Sequence, residues 1–149
     1  MTNPGFRIYR NAYLRFTVEI VGAIDEDLAL RCEREVRAQL ALAAEGSLRV
    51  LWDLSAVESY SFEARMVIVR LQRFLASKAA RTAYVAVAAA PRSLALWAAR
   101  MGNDGRACIA ADHESAETWL AAGNEEPNTL VRPLASVRPR PPGKNSAAS

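Results

Sequence analysis

The stretch from Leu48 to Ala80 constrains the fold of this chain more than any other. It opens with the apolar run LRVLW and continues through a polar segment, DLSAVESY. It ends in SFEARMVIVRLQRFLASKAA, where apolar residues recur at helical spacing. This pattern predicts a buried strand at Leu48–Trp52, a turn at Asp53–Tyr60 and a helix over 61–80. A strand feeding straight into a helix is the repeating unit of a helix-covered sheet. Such folds place their working surface at the strand's C-terminal end.

The flanking sequence repeats the unit. FRIYRN (6–11) and YLRFTVEIVGAI (13–24) read as strands, and Leu14, Phe16, Val18 and Ile20 alternate with Arg15, Thr17 and Glu19 in the second. The short Asn11-Ala12 link suits an antiparallel hairpin. Asp25 is placed to cap a helix over about 26–44, with Leu28, Cys32, Val36, Leu40 and Ala43 on one face and Gly46 as its terminator. RTAYVAVAAA (81–90) is a fourth strand, and Pro91 opens the helix PRSLALWAARMG. Asn103-Asp104-Gly105 marks a turn before a fifth strand, RACIAA (106–111). Asp112 caps a last helix, HESAETWLAA, closed by Gly123-Asn124. The order is ββαβαβαβα. It predicts a single α/β domain over 1–125 with a mixed five-stranded sheet packed by helices.

From residue 126 onward the composition changes, and five of the seven prolines lie in 127–149. This Pro/Arg-rich segment reads as a disordered tail. Residues 127–149 hold Arg132, Arg138, Arg140 and Lys144 with no Asp or Glu and carry +4, more than the whole chain's +3, which leaves the body at −1. A nucleic-acid binder needs a basic patch on its folded surface, so the charge placement argues against that class. No apolar run reaches the roughly 18 residues of a membrane span. Met1–Asn11 has no apolar signal core, so the expected location is the cytoplasm. Cys32 and Cys108 fall inside elements and read as small core residues rather than a disulfide. With a single histidine, His113, no zinc site or other metal centre is expected, and no glycine-rich phosphate loop points to a cofactor.

The element order and several segments resemble the STAS domains, the anti-sigma-factor antagonists and their SpoIIAA-like relatives. Val50-Leu51-Trp52-Asp53-Leu54-Ser55-Ala56-Val57 is similar to that family's strand-end pattern. The strand Arg81–Val87 and the closing Ala116-Glu117-Thr118-Trp119-Leu120 resemble the SpoIIAA-like branch. The resemblance implies a non-enzymatic regulatory module that docks a kinase or anti-sigma-like protein on the loop after strand 3 and the following helix. In such domains a serine at that helix start is phosphorylated within an Asp-Ser-Ser-Gly motif. Here the motif falls on Ser61-Phe62-Glu63-Ala64, so Phe62 stands where the phosphorylated serine would be.

The residues refine that expectation. Ser61 is a helix cap first and a phosphoacceptor second, because Glu58 and Glu63 would repel a phosphate. On the second helix Val67, Leu71, Phe74 and Leu75 form the expected buried stripe. Arg65, Arg70, Gln72 and Arg73 occupy the opposite arc, with Met66 and Val69 exposed among them. That arc, with Asp53, Ser55, Ser59, Ser61 and Phe62, is the expected surface for an acidic protein partner. A membrane surface is the weaker reading, because the arc has little apolar bulk. A second reading places a small apolar or lipid ligand in a pocket lined by Phe74, Trp97 and Trp119, against a core role for these aromatics. Asp25, Asp53 and Asp112 all follow strands, and capping is favoured over metal binding for them. No serine has a visible base partner, so an enzyme is the least supported class.

Overall fold

The structure, a computed structural model, describes residues 3–10, 15–102 and 107–122. The strands are β1 (Gly5–Arg10), β2 (Arg15–Ile24), β3 (Leu48–Tyr60), β4 (Ala79–Val85) and β5 (Ala107–Ala110). The helices are α1 (Glu26–Gln39), α2 (Phe62–Lys78), α3 (Ala89–Gly102) and α4 (His113–Ala121). The expected order ββαβαβαβα is the observed one. One five-stranded sheet runs β1-β2-β3-β4-β5, with β1 antiparallel to β2 and the other neighbours parallel. The Asn11-Ala12 link, Leu14, the 103–105 turn, Arg106, Gly123-Asn124 and the 126–149 segment lie outside the described residues.

Alternation in β2 has the predicted consequence. Phe16, Val18, Ile20 and Ile24 are buried while Arg15, Thr17 and Glu19 are half-buried on the other face. With Val50, Trp52 and Leu54 of β3 and Tyr84 of β4, those side chains form one core beneath α1, α2 and α3. The opposite face carries a smaller core, in which Leu51, Ala83, Val85, Cys108 and Ala110 pack on Ala116 and Leu120 of α4. Both cysteines are buried and unpaired. Burial pushes the Cys32 thiol up to about 12, with Glu33 adding to it, and the Cys108 thiol up to about 11.

Strand register also sets a row of cations beside that smaller core. Arg15, Arg49 and Arg81 stand side by side across β2, β3 and β4. Arg49 donates to the Leu120 carbonyl and Arg81 to the Trp119 carbonyl, both at 2.6 Å, while Arg15 pairs with Glu117. Cations thus meet the negative end of α4, and the Arg81 guanidinium also stacks 4.3 Å from the Trp119 ring.

Several expected boundaries move. Leu40 ends α1 by donating its N–H to the Val36 carbonyl at 3.0 Å, so the helix stops before Ala43, while Gly46 (φ 70°) turns the chain that follows. Strand β4 ends at Val85, and α3 already begins at Ala89, with Pro91 in its first turn. The largest correction is that Asp53–Tyr60 is strand, not turn. Beyond Asp53, the last residue of β3 paired with β4, Ala56, Val57, Ser59 and Tyr60 still pair with β2. Two register shifts interrupt that pairing, one beside Gly22 (φ 86°), and they replace the period-2 pattern by burial at Leu54 and Val57. Backbone pairing with β2 therefore holds extended a segment whose polar residues suggest a turn.

The second correction concerns α2. Val69, 4% exposed, and Gln72, fully buried, lie inside rather than on the solvent arc. Helix α3 covers them and approaches so closely at Gly102 that a Cβ there would lie 3.0 Å from the Val69 carbonyl oxygen and from Cβ of Gln72. Flanked by α1 and α3, α2 buries more than one stripe. Gln72 accepts the indole N–H of Trp52 at 2.6 Å, which satisfies the donor of a fully buried ring.

Candidate interaction face

The mouth of the parallel strands and the start of α2 form the candidate site. Ser61 caps α2: its hydroxyl accepts the Ala64 N–H at 3.0 Å, and its own N–H bonds the Ile24 carbonyl at 3.1 Å. Asp25 and Asp112 likewise cap α1 and α4, accepting from the N–H groups of Leu28 at 2.9 Å and Ser115 at 2.7 Å. Ser55 and Ser59 are exposed on the extended half of β3. Next to them the Tyr60 and Ser93 hydroxyls share a hydrogen bond of 2.7 Å, tying β3 to α3.

Asp53 has partners that its position in the sequence does not reveal. One carboxylate oxygen accepts from the Ser55 hydroxyl at 2.6 Å and the Ser55 N–H at 3.1 Å, and the other lies 2.8 Å from Nε2 of His113. Burial pushes the carboxyl up, but the Ser55 and His113 hydrogen bonds outweigh it and hold Asp53 below its ordinary value. Serine, aspartate and histidine meet here with the carboxylate in the middle. A nucleophilic triad instead places the imidazole between the other two groups, so this cluster fastens α4 to β3.

The expected basic arc is not a free steering surface. Arg70 binds both carboxylate oxygens of Glu33 on α1, at 2.7 and 2.5 Å, and Arg37 adds a third cation contact at 3.3 Å. Arg73 donates to the Met101 carbonyl at 3.0 Å. The Arg65 guanidinium lies 4.0 Å from the Trp97 ring centre and 4.9 Å from that of Phe62. These three arginines join α2 to its neighbours. Beside the exposed Glu63, Arg70 and Arg73, this face presents large apolar side chains: Phe62 is 61% exposed, Met66 49%, Trp97 40% and Met101 50%. Phe62 and Trp97 thus flank one cation, and their rings continue the α2 surface onto α3.

The expected ligand pocket does not assemble. Trp97 faces Arg65, Phe74 packs under Arg37 and Lys78, and Trp119 sits with Arg81 across the sheet. Instead a groove of about 560 Å³ runs along α3, lined among the described residues by Arg92, Ser93, Leu96, Trp97 and Arg100, with Ala89 and Met101 at its ends. The spacing of Arg92, Leu96 and Arg100, four residues apart, was the available sequence signal for it. The His113–Asp53 contact had none.

No protein-family profile matches the sequence, and no curated protein matches it. Solved structures do match. An uncharacterised DUF3478-family protein with a SpoIIAA-like fold from Shewanella loihica PV-4 superposes with a TM-score of 0.62 at 18% identity, covering 80% of this chain and 97% of that one. An anti-sigma factor antagonist from Mycobacterium paratuberculosis gives 0.59 at 18% identity, with 80% and 95% covered. The unphosphorylated anti-sigma factor antagonist SpoIIAA gives 0.54 at 10% identity, with 80% and 99% covered. The chain therefore has the SpoIIAA-like fold, along nearly the whole length of each of these structures.

Proposed function

We propose that the chain is a STAS-like, non-enzymatic regulatory module that docks a protein partner, of kinase or anti-sigma type, through the start of α2 and the extended end of β3. The fold likeness to two anti-sigma factor antagonists supports the class. One observation carries the surface: Phe62 and Met66 stand exposed on the first turns of α2, with Arg65 stacked between Phe62 and Trp97. Aromatic, Met and Arg side chains around a dry centre are the composition of interface cores. Ser55 and Ser59 supply a polar rim. Val69 is buried, and Arg70 and Arg73 are engaged within the domain, so the contact set centres on Phe62, Arg65 and Met66. With Ser61 bound as a cap, docking does not depend on its phosphorylation.

The test is capture of the native partner from the source cell by the full chain and by Phe62→Ser/Met66→Ser. The variant is expected to keep its circular dichroism and melting temperature and to lose the partner. A folded variant that captures the same partner equally well would overturn the assignment of this face.

A further inference from the structure

We infer that the outer face of α3 receives an acidic amphipathic helix of the partner, an inference that rests on the docking reading above and gives the partner its chemistry. Residues four apart on a helix lie one above the other, so α3 presents two parallel rows. Arg92, Leu96 and Arg100 form one, and Ser93, Trp97 and Met101 the other. Together they form the α3 side of the groove of about 560 Å³ among the described residues. Among the described residues its apolar lining is Leu96, Trp97 and Met101, and its cations are Arg92 and Arg100. Helix α3 contains no Asp or Glu, and neither arginine has an ion-pair partner among the described residues. Trp97 also touches Arg65, so the groove is continuous with the exposed Phe62 on α2.

Charge selects the occupant. The chain's own 123–149 segment carries four cations against the two carboxylates of Glu125 and Glu126, and its five prolines break any helix, so it offers neither net negative charge nor a continuous helical stripe. A second copy docking α3 on α3 would bring the same arginines together. A helix with apolar residues at i and i+4 and carboxylates beside them satisfies both rows, in the helix-in-groove mode.

Two synthetic peptides test this, each with the same leucine stripe, one flanked by glutamates and the other by lysines. Each is titrated into the full chain while tryptophan emission is followed, with Trp97→Phe as the control, since Trp52 is fully buried and Trp119 lies against Arg81 away from α3. The glutamate peptide is expected to bind and to shift emission only when Trp97 is present. Affinity should fall on the order of ten-fold in Arg92→Glu/Arg100→Glu, less in Arg92→Gln/Arg100→Gln, and fall further with salt. Equal binding of the two peptides would overturn the proposal. So would the absence of any Trp97 response, the result expected if the chain's own tail or a second copy fills the groove. If the groove fails while Phe62→Ser/Met66→Ser still abolishes partner capture, only this inference falls. If partner capture survives both sets of variants, the docking reading falls with it.

Discussion

Replacing Val69 and Met66 separately with alanine tests which side of α2 is buried, the point on which the docking face depends. Val69 is 4% exposed beneath α3, and Met66 is 49% exposed. Val69→Ala removes two buried carbons at about 0.8 kcal/mol each. The space they leave adds to the cost, because the α2–α3 contact at Gly102 has little room to adjust. Alanine's better helix propensity returns roughly 0.5 kcal/mol. The expected net loss is about 1.5–2.5 kcal/mol, whereas Met66→Ala should stay within about 0.5–1 kcal/mol because half of its side chain is already in water. Urea unfolding followed by far-UV circular dichroism reads both as shifts in midpoint at constant slope. A neutral Val69→Ala beside a strongly destabilised Met66→Ala would refute the reasoning, since it would mean that α2 presents the opposite face to α3.

Gln72→Leu should cost about 1–3 kcal/mol, because it strands the Trp52 indole N–H in the core without its 2.6 Å acceptor. Adding Trp52→Phe should cost less in that background than in the wild type, and strict additivity in the double-mutant cycle would show that the bond contributes nothing. For Glu33, the Arg70 hydrogen bonds outweigh burial and hold the carboxyl below its ordinary value of 4.5. A carboxyl depressed in the folded state adds stability that is complete above the unfolded value and disappears as pH falls through the folded one. Glu33→Gln should therefore destabilise the chain at neutral pH and match the wild type in acid. A gap between them of the same size at every pH would rule out the ion pair as its cause.

Much of the architecture was legible in the residues. The alternation around Phe16, Val18 and Ile20, the helical spacing in α1 and α2, and the caps Asp25, Ser61 and Asp112 are local signals. The chemistry that produces them spans only a few neighbouring residues. The element order and the resemblance to SpoIIAA-like domains rested on these signals, and the structure shows that fold.

The site was legible only in part. Phe62, Arg65 and Met66 were expected at the surface, and Phe62 and Met66 are exposed there. Val69 and Gln72 were misplaced because helical periodicity describes one buried face, whereas α2 meets a second helix on its flank. Polar composition predicted a turn at Asp53–Tyr60, but β2 supplied backbone partners and kept it extended. Phe74, Trp97 and Trp119 looked like one pocket until the sheet separated Trp119 from the others. The chain by itself thus determined how many strands and helices form and in what order, because those choices depend on near neighbours. Only the tertiary structure decided which arginines are engaged by Glu33 and by backbone carbonyls, that His113 meets Asp53 and which aromatic rings face solvent. Those outcomes depend on residues brought together from different elements, 28 to 71 positions apart in the chain.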